Sequence, residues 1–135
     1  MSDFRAHSFD SPRGRPAPRE LWGRTLDGEK WRHTLTGLTL VVAVKPNCDG
    51  CREFTDGDLF ELSGVEVVVM SATTNDEWRQ ARQQVIISPE TLMELDLRSA
   101  PLYVLIDASR QRVVSEGVVF APAQVAQEIA SFLTR

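Results

Sequence analysis

The amino-acid sequence predicts an α/β domain in which a central β-sheet carries helices on both faces. Two near-continuous apolar runs, LTLVVAVKP and GVEVVVMSA, have the β-branched composition of strands buried on both faces. Segments with helical spacing and capping residues alternate with these strands, and the last one, APAQVAQEIASFLTR, places its apolar residues on one stripe. A chain of 135 residues is long enough for one core, so we predict a single domain.

The first part of the chain divides into a polar arm and a hairpin. Residues 1–19 are rich in Pro, Arg and Ser and have no apolar period, which indicates a flexible N-terminal arm before a domain of residues 20–135. In ELWGRTLDGEKWRHTL, the pair Asp27-Gly28 lies between two short runs that carry apolar residues. Because Asp-Gly favours a type I′ turn, this segment predicts a β-hairpin at the start of the fold.

The remaining elements follow in the order strand, helix, strand, helix, short helix, two strands and helix. The first of these strands stops at Pro46, and a helix begins at Cys48. The segment TNDEWRQARQQV predicts a helix capped by Thr74 or Asn75, with its charged residues on the solvent face. SPETLMEL predicts a shorter helix with Pro89 at its first position. APLYVLID and QRVVSEGVVF then predict two strands before the closing helix.

Charge and hydropathy exclude several kinds of function. The formal net charge is −4 and the basic residues form no stripe, so we predict no nucleic-acid partner. The N-terminus lacks the apolar run of a secretory signal, and no stretch has the apolar length needed to cross a bilayer. These observations predict a cytoplasmic protein without a membrane span.

The only two cysteines, Cys48 and Cys51, lie in the segment VVAVKPNCDGCREF. Persistent structural disulfides are uncommon in the cytoplasm, and a bridge over so short a loop restricts the unfolded chain only slightly. A close pair is more typical of dithiol redox chemistry or of half a zinc site. A structural zinc site needs four ligands, and the only imidazoles are His7 in the arm and His33 on the hairpin. We therefore favour redox chemistry and predict no metal and no cofactor.

The position of the pair suits thiol–disulfide exchange. Thiols at i and i+3 on a first helical turn provide one exposed nucleophile and a second thiol that attacks the resulting mixed disulfide. Free backbone N–H groups and the helix dipole lower the pKa of a thiol at a helix start, and open α/β sheets place their sites where central strands end. Cys48 is the candidate for the exposed thiol, and Cys51, one turn deeper, is the candidate for the resolving thiol.

The charges around KPNCDGC predict a Cys48 thiolate that is only modestly stabilised. The helix start favours the thiolate, and Lys45 either adds to this effect or is a solvated residue at the end of the strand. Asp49 opposes the thiolate with its negative charge. Stabilising the thiolate makes a disulfide more oxidising, so a modest effect predicts a potential nearer about −270 mV, as in thioredoxin, than about −120 mV.

From about Leu21 to the C-terminus, the chain resembles the thioredoxin superfamily, and within it the TlpA-like thiol:disulfide oxidoreductases related to the peroxiredoxins. The resemblance rests on the LDGEKW hairpin, the strand leading into CDGC, the VVVMSA strand, the SAPLYVLID segment and the closing amphipathic helix. It implies a thioredoxin-like fold with a mixed sheet. It also implies that Cys48 is the nucleophile, Cys51 the resolving cysteine and Pro101 a cis-proline that faces them.

The resemblance also implies how a substrate would bind. An Ala-Pro pair that begins a strand beside the site leaves the backbone groups of Ala100 free to pair with an extended substrate. Asn47 stands where the family usually has an aromatic residue before the first cysteine, and we include it with Ala100 and Pro101 in the predicted substrate-contacting set. Cys48 has Lys45 and Val41 where the peroxidatic motif of peroxiredoxins has Thr or Ser and Pro, which argues against a peroxidase.

The expected function is therefore disulfide reduction through a mixed-disulfide intermediate. The partners would be a disulfide-containing protein or a small thiol substrate, together with a dithiol electron donor. The alternative is a redox-sensing or partner-binding module that uses the same fold without catalysis. Turnover with a dithiol donor distinguishes these two functions.

Overall fold

A computed structural model describes residues 14–133 of the chain. Its strands and α-helices are, in chain order, β1 (Arg15–Pro16), β2 (Glu20–Arg24), β3 (Lys30–Thr34), β4 (Leu38–Val44), α1 (Asp49–Asp56), β5 (Glu66–Ser71), β6 (Val85–Ile87), α2 (Pro89–Glu94), β7 (Leu102–Asp107), β8 (Arg112–Val118) and α3 (Pro122–Leu133). Two short 3₁₀ helices, Phe60–Leu62 and Asp76–Gln80, follow α1 and β5 respectively.

The strands of this part of the chain form one eight-stranded mixed sheet in the order β1-β8-β7-β4-β5-β6-β2-β3. Strands β4, β5 and β6 run parallel to one another, whereas the other neighbouring pairs are antiparallel. Because β4 pairs with β5 on one side and β7 on the other, it occupies the middle of the sheet. The predicted mixed sheet and its N-terminal hairpin are therefore both present.

Strand β4 is buried on both faces, as its apolar run predicts. Each residue from 39 to 44 is at most 3% exposed. Val42 and Val44 belong to the apolar cluster that includes residues of α1 and α3, whereas Val41 and Ala43 belong to the cluster that includes a residue of α2. Helices thus cover both faces of the sheet, and the carboxyl end of β4 leads directly into the cysteine segment.

The turn of the N-terminal hairpin differs from the predicted type I′. Strands β2 and β3 pair antiparallel along their whole length, and residues 25–29 connect them. The Gly28 N–H donates to the Thr25 carbonyl at 2.9 Å, and Gly28 has a φ of 91°, whereas Asp27 does not have a positive φ. A type I′ turn needs positive φ at both central residues, so the predicted turn type is wrong although the hairpin itself is confirmed.

The helix predicted in TNDEWRQARQQV is also wrong in extent, because the structure has a short 3₁₀ helix there and then strand β6. Asn75 caps the 3₁₀ helix, with its Oδ1 accepting the Glu77 N–H at 2.8 Å. Trp78 turns into the core and donates its Nε1 to a carbonyl of the preceding loop at 3.1 Å. Gln83 donates its backbone N–H and its side-chain amide to carbonyls at the end of α1. Together with the local bonds of Asn75 and Trp78, the long-range bonds of Gln83 replace the helical bonds that local periodicity predicts.

The predicted N-terminal arm is described only in its last part, since residues 1–13 lie outside the described residues. Arg15 and Pro16 form β1, which pairs with β8. The Arg15 guanidinium donates to Glu116 Oε2 at 2.6 Å and to the Leu95 carbonyl at 2.9 Å. The sheet therefore includes a segment that the sequence analysis assigned to the arm, and the domain boundary at residue 20 stays a prediction.

We expect Gly23→Ala to weaken the packing of the hairpin on β6. A Cβ at Gly23 would lie 2.5 Å from Ile86 Cγ2 and 2.9 Å from the Ile87 carbonyl oxygen. Overpacking of this kind lowers the free energy of unfolding by about 1–3 kcal/mol, which urea denaturation would measure. Gly64→Ala is the matched control, because its Cβ would meet only Leu133 Cδ1, at 3.7 Å. Equal stability of the two variants would contradict this account of Gly23.

Candidate active site

Cys48 and Cys51 lie together at the start of α1. Cys48 is the N-cap of this helix, and its Sγ accepts the Cys51 N–H at 3.2 Å. This bond satisfies one of the backbone donors that a helix start leaves without a partner. The two cysteines form a disulfide, with Cα atoms 5.2 Å apart, within the normal range for such a bond. A local helix signal thus places both sulfurs where the central strand ends.

The two cysteines differ in their access to solvent. Cys48 is 9% exposed, whereas Cys51 is only 1% exposed and lies three residues further along, within the first turn of the helix. The backbone N–H of Lys45 donates to Cys51 Sγ at 3.4 Å. Both cysteines are therefore largely buried, and Cys48 is the more exposed of the two.

The loop before β7 brings a cis-proline against the cysteine segment. The Ala100–Pro101 peptide bond is cis, and the Pro101 carbonyl accepts the Val119 N–H at 3.0 Å. A Cβ built at Gly50, between the two cysteines, would lie 3.4 Å from Pro101 Cγ and 3.7 Å from the Val119 carbonyl oxygen. Gly50 therefore permits a close approach of the two loops. Gly50 was not among the predicted site residues.

Asn47, immediately before Cys48, has a left-handed backbone conformation with a φ of 58°. Its side chain is exposed, and its backbone N–H donates to Glu77 Oε1 at 3.1 Å. Asparagine tolerates this region better than most residues other than glycine. The structure thus places Asn47 at the surface beside Cys48 and shows that a carboxylate from the second 3₁₀ helix holds its backbone.

Two carboxylates, those of Asp49 and Glu77, share Arg52 beside Cys48. Arg52 Nη1 lies 2.9 Å from Asp49 Oδ1, and Arg52 Nε lies 3.6 Å from Glu77 Oε2. The Asp49 side chain is 99% exposed and that of Glu77 only 26%. Solvent screens the Asp49 charge more strongly than the Glu77 charge. The Glu77 carboxylate therefore has the stronger electrostatic effect on its surroundings. Glu77 was not among the predicted site residues, although its position after the carboxyl end of β5 is the signal that identifies it.

Lys45 contacts Cys51 through its backbone N–H, and its exposed side chain makes no ion pair within residues 14–133. Together with Arg98 and Ala100 it lines a cavity of about 210 Å³ beside the cis-proline loop. Arg98 donates a hydrogen bond to Asp96, and this bond lowers the pKa of the Asp96 carboxyl below its ordinary value. Both side chains of that pair are therefore charged at neutral pH.

A zinc site at the two cysteines would need two further ligands from elsewhere in the chain. Between residues 14 and 133, no group of three or more His, Cys, Asp and Glu side chains is arranged to hold a metal ion. His33 lies on the edge strand β3, where its ring stacks on Trp31 and its Nε2 lies 3.0 Å from Glu66 Oε1. His7 lies outside the described residues. In the described site, the two cysteines are bonded to each other.

Solved structures with a similar fold are thiol:disulfide oxidoreductases. A protein described as the thiol:disulfide interchange protein DsbE of Chlorobium tepidum superposes with a TM-score of 0.65 and 21% identity, covering 90% of this chain and 97% of its own. An interchange protein from Bacteroides sp. has a TM-score of 0.62 and 13% identity, with 90% of each chain covered. The exposed lipoprotein thioredoxin of Streptococcus pneumoniae has a TM-score of 0.55 and 15% identity, covering 81% of this chain and 98% of its own. Neither a family model nor a curated protein matches the sequence.

These similarities confirm the predicted thioredoxin-like fold. A Cys-x-x-Cys pair at disulfide distance in this fold supports a redox role for the chain. None of the helices in residues 14–133 has the length and apolar character needed to cross a bilayer. Because one similar protein is an exposed lipoprotein, the cytoplasmic location stays a prediction.

Proposed function

We propose that this chain, with its thioredoxin-like fold, is a thiol:disulfide oxidoreductase that reduces disulfides with the Cys48–Cys51 dithiol. The observation that carries the proposal is the position of the pair. Both sulfurs lie at the start of α1, where the central strand ends, and the Ala100–Pro101 loop closes on the glycine between them. The greater exposure of Cys48 supports its assignment as the nucleophile and that of Cys51 as the resolving cysteine.

The proposed reaction consists of two exchange steps. In the reduced protein, the Cys48 thiolate attacks one sulfur of the substrate disulfide, the substrate S–S bond breaks, and the first substrate thiolate leaves. The Cys51 thiolate then attacks Cys48 Sγ, which breaks the mixed disulfide, forms the Cys48–Cys51 bond and releases the second substrate thiolate. Two electrons pass from the dithiol to the substrate, and its two thiolates take up the two protons lost by the cysteines. A dithiol donor restores the reduced pair by the reverse sequence.

We assign the contact with the substrate to Ala100, Pro101 and Asn47. The position of Pro101 against Gly50 and the exposure of Asn47 next to Cys48 support this assignment. A disulfide-containing segment in extended conformation would then pair with the backbone of Ala100. The reaction needs a protein or small-molecule disulfide and a dithiol donor, but neither a cofactor nor a nucleic acid.

The charges near Cys48 favour the reducing direction. Asp49 and the more shielded Glu77 oppose the thiolate, and no histidine lies between the cysteines to stabilise it. Lys45, an exposed residue that lines the neighbouring cavity, provides a weaker opposite effect because water screens its charge. We propose that the sum of these charge effects stabilises the disulfide relative to the dithiol.

We expect a reduction potential nearer about −270 mV than about −120 mV. Equilibrating the protein with glutathione or dithiothreitol buffers and counting free thiols would measure this potential. Turnover of a disulfide substrate with dithiothreitol as the donor would test catalysis in the same samples. A potential close to the oxidising value would contradict the reductase direction, and a pair that does not exchange would contradict the oxidoreductase assignment.

The second candidate function is a redox-sensing or partner-binding module without turnover. The low exposure of Cys48, 9%, favours it, because a shielded sulfur reacts slowly with external disulfides. Such a module would be oxidised and reduced once per signal. It would show no sustained consumption of a dithiol donor in the presence of a disulfide substrate, whereas the oxidoreductase would.

A further inference from the structure

We propose that Glu77 is a positioning residue that holds the segment before Cys48 and makes the Cys48–Cys51 pair more reducing. The inference rests on the proposed redox function and adds a residue that sets the reduction potential of the cysteine pair. Glu77 lies far from the cysteines in sequence, and the 3₁₀ helix Asp76–Gln80 brings it to the site. Its carboxylate contacts both Asn47 and Arg52.

The contact with Asn47 supports the positioning role. Asn47 has a positive φ of 58°, a conformation that asparagine tolerates better than most residues but less readily than glycine. The Glu77 carboxylate accepts the Asn47 N–H at 3.1 Å and so stabilises the backbone in this conformation. Cys48 is the next residue and the N-cap of α1, so we infer that the backbone conformation of Asn47 helps to place Cys48 Sγ.

Glu77 is itself held firmly. The Asn75 side chain accepts its N–H at 2.8 Å, and the next residue, Trp78, is only 4% exposed. Trp78 belongs to the same apolar cluster as Cys48 and Cys51 and donates its Nε1 to a backbone carbonyl. A carboxylate on such an element stays in place without losing much further side-chain freedom, which makes its contact with Asn47 effective.

The sign of the electrostatic effect follows from the chemistry of the pair. The Cys48 thiolate exists only in the reduced protein, so a negative charge nearby destabilises the reduced form relative to the disulfide. Glu77 therefore shifts the pair toward a more negative potential. Arg52, with its Nε 3.6 Å from Glu77 Oε2, offsets part of this effect, and Arg52 also bonds to Asp49.

Glu77→Gln tests the charge, because glutamine keeps the shape of the side chain and an oxygen that accepts the Asn47 N–H. We expect the equilibrium with a glutathione buffer to shift toward the reduced protein by about two- to fivefold, or up to about 20 mV. Asp76→Asn is the matched control, since it removes the same charge from a neighbouring side chain that is 99% exposed. The control should shift the equilibrium by less than about twofold.

Glu77→Ala tests the positioning role when it is compared with Glu77→Gln, because both variants lack the charge and differ in the acceptor for Asn47. We expect the reduced Ala variant to react with oxidised glutathione about two- to tenfold more slowly than the Gln variant, and its Asn47 amide proton to exchange faster. In an Asn47→Gly background, where glycine adopts positive φ readily, the difference between Ala and Gln should become smaller.

The outcomes separate this inference from the proposed function. If the wild type exchanges with glutathione but Glu77→Gln behaves as Asp76→Asn does, the electrostatic role is wrong and the oxidoreductase assignment stands. Equal rates for Glu77→Ala and Glu77→Gln would overturn the positioning role in the same way. A wild type that does not exchange would overturn the proposed function and this inference together.

Discussion

A Cys51→Ser variant is expected to form mixed disulfides with its substrates and to release them at least about a hundredfold more slowly than the wild type. In the proposed reaction, Cys51 resolves the mixed disulfide at Cys48, and the two Cα atoms are only 5.2 Å apart in the oxidised protein. This arrangement gives an effective concentration far above that of any external thiol. Non-reducing electrophoresis followed by mass spectrometry would detect and identify the trapped partners.

Cys48→Ser is the matched control for this experiment, because it also retains a single cysteine. The remaining Cys51 is 1% exposed, and we therefore expect almost no mixed disulfide to form. Comparable yields from the two variants would contradict the assignment of Cys48 as the nucleophile. The trapped species would also show whether the substrate is a protein or a small thiol compound.

Phe54→Ala is expected to lower the free energy of unfolding by about 3–5 kcal/mol. Phe54 is completely buried on α1 and packs in the same apolar cluster as the two cysteines. Its removal leaves a cavity beneath the helix that carries the site, and the loss is a large part of the typical stability of a single domain. Urea denaturation followed by circular dichroism would measure the change.

Phe60→Ala provides the comparison for Phe54, since it makes the same chemical change at a side chain that is 69% exposed. We expect its stability to stay within about 0.5 kcal/mol of the wild type. The comparison separates the loss of a buried aromatic ring from the general effect of replacing phenylalanine by alanine. A larger loss at Phe60 than at Phe54 would show that the core beneath α1 does not depend on Phe54.

The α/β class could be predicted because its signals are local. The apolar runs of β4 and β5 and the apolar stripe of α3 predict which residues are buried from the pattern of neighbouring residues alone. The cysteine spacing and the strand that ends before it place Cys48 and Cys51 at a helix start in the same local way. Local spacing was sufficient for the helix start and for the hairpin, but not for the hairpin turn, whose φ angles Asp27 and Gly28 alone do not determine.

The segment between β5 and α2 shows where local signals fail. Its spacing is typical of a helix, yet Trp78 enters the core and Gln83 bonds to the end of α1, so the chain forms a 3₁₀ helix and then β6. The partners of Gln83 and the core residues around Trp78 are distant in sequence, so local periodicity does not predict these contacts. The same rearrangement carries Glu77 to Asn47.

The groups of the candidate site also divide into those that the local sequence predicts and those that only folding brings together. Its reactive groups lie in the segment KPNCDGC and could be predicted from the sequence. The two thiols, their spacing and the start of the helix are all properties of consecutive residues. The surroundings of that dithiol come from elsewhere in the chain: Pro101 against Gly50, and Glu77 on the backbone before Cys48. Only folding brings these groups together, since strands β4, β5 and β7 lie side by side in the sheet while long stretches of chain separate them in sequence.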